Sequence, residues 1–252
     1  MRSHATAAPE HGSSCSIRRG LRSGTLPPRR VLELGAILVA GALFAATAYL
    51  ALSGARTLWV PLGFLLLGLI AADAISGTVH WLADTYGTPG MPVFGAFVRT
   101  FREHHADAKA ITRHDWIETN GDVCLFSAPV HAVALFWADD PWILSWMTGL
   151  FAGSYSNSQI HKWSHMDHAP RLVRWLQRFR LVLSSSHHQV HHRGPHLTHY
   201  CITTGWTNGV LDHLRVFRIL ERALRVLGIP PNARSSVPDP VPVVPLFEGR
   251  PD

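Results

Sequence analysis

LWVPLGFLLLGLIAADAISGTVHWLAD, residues Leu58–Asp84, decides the fold. Between Leu58 and Val79 the only charged residue is Asp73. About 20 such residues cross a bilayer as one helix. The apolar run then meets His80 and Asp84. Asp73, His80 and Asp84 are spaced i, i+7 and i+11, which at about 100° per residue leaves them within about 40° of each other on one stripe. A carboxylate inside an apolar span is expensive and belongs on a protein-facing side with a partner. The simplest assignment makes His80 a metal ligand, Asp84 a ligand or an acceptor for one, and Asp73 an orienting group deeper in. The alternative for Asp73 is a hydrogen bond to a neighbouring helix and nothing more.

Outward from this stretch the pattern repeats. Val31–Ser53 is a second run of spanning length, and Val123–Ala138 and Trp142–Ile160 form a shorter pair. Val123–Ala138 is marginal, since about 16 residues rise only about 24 Å. Trp59, Trp137, Trp142 and Trp146 flank the turns, where amphipathic rings sit at a membrane interface. The fold class expected is an all-α integral membrane protein, with about four transmembrane helices in two hairpins and a cytoplasmic, histidine-rich helical cap.

The basic residues set the orientation. Six arginines precede Val31, four Lys/Arg lie in Arg99–Arg113 and eleven in Lys162–Arg234, whereas the connector at Arg56 has one and Asp139-Asp140-Pro141 has none. Positive residues stay on the cytoplasmic side, so both termini and all histidine clusters fall there. The net charge of +6 suits an anionic lipid surface. The basic residues flank apolar segments, which disfavours nucleic acid as a partner.

Residues 1–30 read as a disordered basic tail without a convincing signal-peptide pattern, 31–228 as the membrane domain, and 229–252 as a proline-rich tail. Cys15, Cys124 and Cys201 form neither a disulfide framework nor a zinc ribbon. Arg171–Leu183 and Val210–Leu227 each put arginines on one helical face and Leu/Phe on another, the pattern of helices lying at headgroup level.

Fourteen of the 17 histidines lie between His80 and His199. HKWSH places His161 and His165 at i, i+4, with Asn157 one turn earlier on the same stripe; one helix can thus offer two ligands to one ion. HHQVHH offers the i, i+4 pairs His187/His191 and His188/His192. EHH presents His104 and His105 about 100° apart on a helix, so they can serve different ions, or one can be a ligand and the other an outer partner. The candidate ligands are His80, His104, His105, His161, His165, His187, His188, His191 and His192. One ion takes at most about six ligands, so nine suit two ions. Histidine-rich sites at a membrane face, with few clustered carboxylates to bridge, point to oxygen-activating iron rather than hydrolytic zinc. Glu103, His114, Asn157 and His196, with Asp73 and Asp84, are possible ligands or outer partners that hold an imidazole N–H. His131, inside an apolar run, reads as a satisfied core histidine.

HWLADTYG (His80–Gly87), FREHHADAKAITRHDWIETNGD (Phe101–Asp122), NSQIHKWSH (Asn157–His165), HHQVHH (His187–His192) and CITTGWTN (Cys201–Asn208) together resemble the Kua/CarF-type lipid desaturases, which include the plasmanylethanolamine desaturases. The resemblance covers about Leu65 to Glu221. The chain departs from the family pattern at Ala108, Val123, Ser185, Ser186 and His199, and none of these removes a clustered histidine. The resemblance implies a membrane lipid desaturase domain with a histidine-ligated centre of two Fe ions. It implies O2 as co-substrate and electrons from a cytochrome b5- or ferredoxin-like protein. The substrate implied is a 1-O-alkyl ether phospholipid, converted at its 1′–2′ carbons to a plasmalogen. A membrane acyl-lipid desaturase or hydroxylase, a non-enzymatic membrane regulator and a zinc-dependent membrane hydrolase are the competing readings.

Overall fold

The computed structural model describes residues 27–232, and every described element is helical. The tails expected over 1–30 and 229–252 lie mostly outside the described residues. Four long helices form the body: α1 (Pro28–Gly54), α2 (Trp59–Thr85), α4 (Trp116–Trp137) and α5 (Pro141–His165). The short helices are α3 (Gly95–Ala106), α6 (Arg171–Arg178), α7 (Ser185–His192), α8 (Asn208–His213) and α9 (Val216–Val226).

The starts are chemically marked. Pro28 opens α1, where a missing N–H costs nothing. Asp115 caps α4 by accepting from the N–H groups of Ile117 and Glu118, and Asp140 caps α5 in the same way at Trp142 and Ile143.

By length and apolar composition α1 and α2 can cross a membrane. The polar start of α4 (Glu118, Thr119, Asn120) and the polar end of α5 (Asn157 to His165) lower their apolar character. Large apolar side chains on these helices face outward: Leu38 is 73% exposed, Trp59 83% and Phe136 79%. Exposed apolar faces of this extent mark a contact surface for lipid or protein.

The expected pairing of consecutive helices differs in the first half. α1 packs mainly on α4, α2 packs mainly on α5, and α5 lies against all three others. Small residues explain the α2–α5 contact. A Cβ on Gly68 would sit 2.0 Å from the Trp146 carbonyl oxygen, and one on Gly149 would sit 1.9 Å from that of Leu65. Gly153 closes on Ala72. These small residues recur every fourth position and let the backbones touch. α1 meets α4 through Ala36, Ala40, Cys124 and Ala128.

The ends are sorted. Gly54 and Pro141 meet at one end. At the other, Arg30 pairs with Asp115, Arg29 with Asp122, and the last turns of α2 and α5 deliver their histidines. The short helices gather at this second end.

Both expected surface helices are shorter than their sequence pattern. α6 stops at Arg178, and Arg180 takes a left-handed conformation (φ 55°) that turns the chain inward to the buried Leu183. The Leu183 N–H then donates to the Thr203 carbonyl at 3.0 Å. The second helix divides into α8 and α9 at Arg215 (φ 52°). Leu172, Trp175, Ile219 and Val226 nevertheless remain exposed.

Candidate metal centre

Four segments converge. α2 brings His80 and Asp84, one turn apart. α3 brings His104 and His105, α5 brings His161 and His165, and α7 brings His188, His191 and His192. Ser184 fixes the start of α7 by accepting from the His187 N–H. The side chains sort into two groups, one of His104, His161, His165, His188 and His192, the other of His80, Asp84, His105 and His191.

The spacing in the five-histidine group is that of a coordination shell. Nε2 of His188 lies 2.9 Å from that of His161, 3.0 Å from that of His165 and 3.0 Å from that of His192. Nitrogens bound at about 2.1 Å to one ion and at right angles are about 3.0 Å apart. In the second group the Nε2 atoms of His191 and His105 are 3.1 Å apart, and Asp84 Oδ2 lies 3.3 Å from His80 Nε2 and 3.5 Å from His191 Nε2.

The outer ring nitrogens set the tautomers. Nδ1 donates to the Tyr200 carbonyl from His80 (2.9 Å), to that of Thr100 from His104 (3.2 Å) and to that of Thr198 from His191 (2.8 Å). Each ring then presents an Nε2 lone pair inward, as a ligand must. Nε2 of His80, Nε2 of His104 and both Asp84 oxygens are buried and lack a hydrogen-bond partner among the described residues. Buried polar atoms are satisfied almost without exception, and one cation in each group would satisfy these four. Burial first, and then repulsion from neighbouring rings, holds His104 and His188 well below the ordinary histidine range, His105 at about 2 and His192 at about 3. Neutral imidazole is the form that binds metal. The donor set therefore fits two adjoining ions, one all-nitrogen and one with a carboxylate.

Eight of the nine candidate ligands, and Asp84, come together. His187 does not. Its ring lies over Gly205, where a Cβ would be 2.9 Å away, and its Nε2 accepts from Asn208 Nδ2 at 3.0 Å. One residue of helix rotation turns it from the metal-facing side of α7 to the loop. Asp73 also sits apart from the ligands. It is fully buried beneath the loop Cys201–Asn208 and accepts from the N–H groups of Thr204, Gly205 and Thr207 and from the Thr207 hydroxyl. Asn157 accepts from Thr203 of the same loop. His114 pairs with Glu118 at 2.8 Å, and the exposed Glu103 also acts on it electrostatically. His196 stacks on His105 (centroids 4.7 Å apart) and forms a third, overlapping group with His105 and His192. His131 is buried between Thr47 and Tyr155, stacked on Phe151.

Sequence reasoning missed Tyr200 and Ser76. The Tyr200 carbonyl orients His80, and the Ser76 hydroxyl accepts from the Ile202 N–H at 3.0 Å, clamping the loop to α2. CITTGWTN was the one signal available, since it borders both.

Fold and site define a helical protein with a candidate metal centre whose side chains close over the ends of apolar helices. Residues 69–234 match the family model of the lipid desaturase domain. The chain is 44% identical over 211 residues to a plasmanylethanolamine desaturase of Myxococcus xanthus, covering 81% of this chain and 75% of that one. It is 41% identical over 222 residues to plasmanylethanolamine desaturase 1 of Mus musculus, covering 82% of each. It is 33% identical over 181 residues to the chloroplastic fatty acid desaturase 4 of Arabidopsis thaliana, covering 67% of this chain and 53% of that one. No solved structure matches. The chain belongs to the lipid desaturase family and is an oxidoreductase of lipid metabolism. Together with its two apolar helices, this marks a membrane protein.

Proposed function

We propose that this chain is a plasmanylethanolamine desaturase. It introduces the 1′–2′ double bond of a plasmalogen into a 1-O-alkyl ether phospholipid. Two hydrogens leave adjacent chain carbons, and O2 takes them up with two further electrons and two protons to give two waters. The observation that carries this reading is the pair of adjoining ligand groups, joined to relatives that bear that name at above 40% identity over four-fifths of the chain.

His104, His161, His165, His188 and His192 would hold one iron, and His80, Asp84, His105 and His191 the other. The pair supplies the O2-derived oxidant that an unactivated C–H bond requires. The chain's own residues hold, orient and exclude water. Carbonyls of Thr100, Thr198 and Tyr200 aim the rings. Phe101 packs edge-on to His80 and keeps the inner side dry. His105, His192 and His196 are half-buried and form the more accessible side of the site.

The membrane reading extends to all four long helices, with the histidine end and both termini cytoplasmic. It is supported by the exposed apolar faces and by the arginines at that end. α6 and α9 would lie at headgroup level. Electrons would come from a cytochrome b5- or ferredoxin-like protein docking on that face. The likeness to fatty acid desaturase 4 supports an acyl-lipid desaturase as second reading, at lower identity.

The test is expression in a host supplied with alkyl ether phospholipid, followed by lipid mass spectrometry with mild acid. The expected products release long-chain aldehydes, need O2 and vanish in His161→Ala and His192→Ala. Full activity in both variants removes the assignment of the metal site.

A further inference from the structure

We infer that His196 is the entry ligand of the metal centre: it takes up a divalent metal ion at the half-buried side and passes it inward to His105 and His192, without being a ligand of either resident ion. The inference rests on the metal-centre reading and deepens it. Burial sets the direction of approach. His80, His104, His161, His188 and His191 are each 2% exposed or less, and His165 is 8% exposed. His105, His192 and His196 are half-buried. An ion arriving from solvent meets these three first.

The same three histidines lead to both destinations. His105 belongs to the group with Asp84 and His192 to the five-histidine group, whereas His196 belongs only to the group that joins those two. Beyond His105 Nε2 the Asp84 carboxylate is 3.7 Å away, and beyond His192 Nε2 that of His188 is 3.0 Å away. An ion on His196 is therefore one ligand short of either site.

The ring of His196 is set for uptake. Its Nδ1 donates to the His191 carbonyl at 2.8 Å, which leaves Nε2 as the nitrogen with the lone pair. The Tyr200 hydroxyl donates to the His196 carbonyl at 2.8 Å and holds its backbone. The ring also lies nearly parallel to that of His105, at 18° with centroids 4.7 Å apart. A lone pair lies in the plane of its ring, so stacked rings do not aim at one point. His196 and His105 thus suit successive binding of an ion, not joint residence on it. Each bond given up by His196 is replaced by one from the next imidazole, and no electron moves.

The test follows Co2+ binding to the metal-free full chain in detergent, by stopped-flow absorbance for uptake and by chelator challenge for release. His196→Asn and His196→Gly remove the ring, and both residues tolerate the left-handed backbone there (φ 60°). Each variant is expected to slow uptake and release by the same factor, about tenfold. The number of ions bound and their equilibrium affinity should not change, because an entry ligand alters the barrier and not the end state. A structural role or a resident ligand gives the opposite pattern, with weaker affinity and faster release. Loss of an ion, faster release, or uptake and release both at the wild-type rate overturns the entry role. Slowed exchange in a protein that makes no vinyl-ether product overturns the desaturase reading and leaves the entry role standing. A wild type that binds no Co2+ overturns the metal centre and the entry role together.

Discussion

Asp73→Asn tests how the loop over α2 holds the metal centre. The Asp73 carboxylate accepts four hydrogen bonds at 2.7–2.9 Å, from the N–H groups of Thr204, Gly205 and Thr207 and from the Thr207 hydroxyl. Asparagine keeps one acceptor oxygen for Thr204 and Gly205. Its amide NH2 then faces the Thr207 N–H, donor against donor, while the Thr207 hydroxyl can rotate and accept. One bond is lost outright, a buried donor is left unsatisfied and the remaining bonds lose their charge assistance. At about 1.5–3 kcal/mol for each charged bond, the loss is about 3–5 kcal/mol. That corresponds to a melting temperature lower by on the order of 10 °C. The loop also carries the Tyr200 carbonyl that orients His80. Loss of such an outer partner weakens metal binding by about 10–100-fold, and the site holding Asp84 should empty first. The assays are thermal unfolding in detergent and iron quantification after dialysis against a graded chelator. An Asn variant that melts within about 2 °C of wild type and keeps its iron would falsify the loop's role.

The neighbours His187 and His188 should separate cleanly. His188→Ala is expected to lose iron and activity, whereas His187→Ala should retain iron and lose stability through the one Asn208 Nδ2 hydrogen bond it removes, read by metal analysis and melting temperature. Gly149→Ala puts a methyl 1.9 Å from the Leu65 carbonyl oxygen, so α2 and α5 must separate; about 3 kcal/mol of stability should go, and a Tm equal to wild type would refute the close packing. His114 is raised above its ordinary range chiefly by its hydrogen bond to Glu118. Its contribution is complete below the unfolded value of about 6.5 and lost as pH rises through the higher folded value. Wild type should therefore lose more Tm between pH 6 and pH 8.5 than His114→Gln does.

Much of this site was legible in the sequence because helical spacing is local. His161 with His165, His188 with His192 and His80 with Asp84 are i, i+4 pairs, and each converges as spaced. The opposite directions of His104 and His105 follow equally from about 100° per residue. His187 was not legible. HHQVHH offers two interleaved pairs, and only the rotation of α7 against the Cys201–Asn208 loop decides between them. Asp73 shares a stripe with His80 and Asp84, yet its partners lie more than 130 residues away and belong to a loop without periodicity. The pairing of α2 with α5 rests on glycines whose meaning appears only when the facing carbonyl is known.

The division of ligands between the two groups has a structural consequence. α2 serves only the group with Asp84, and α5 serves only the five-histidine group. α3 and α7 serve both, each through adjacent histidines, His104 with His105 and His191 with His192. Adjacent residues on a helix cannot move independently, so an ion drawn to one group positions ligands for the other. α2 and α5 are in turn locked by backbone contact at Gly68 and Gly149. The separation of the two sites is thus fixed twice, by two short helices across the top and by two glycine contacts below. Two ions acting together would need such a fixed separation, and residue adjacency on α3 and α7 would supply it.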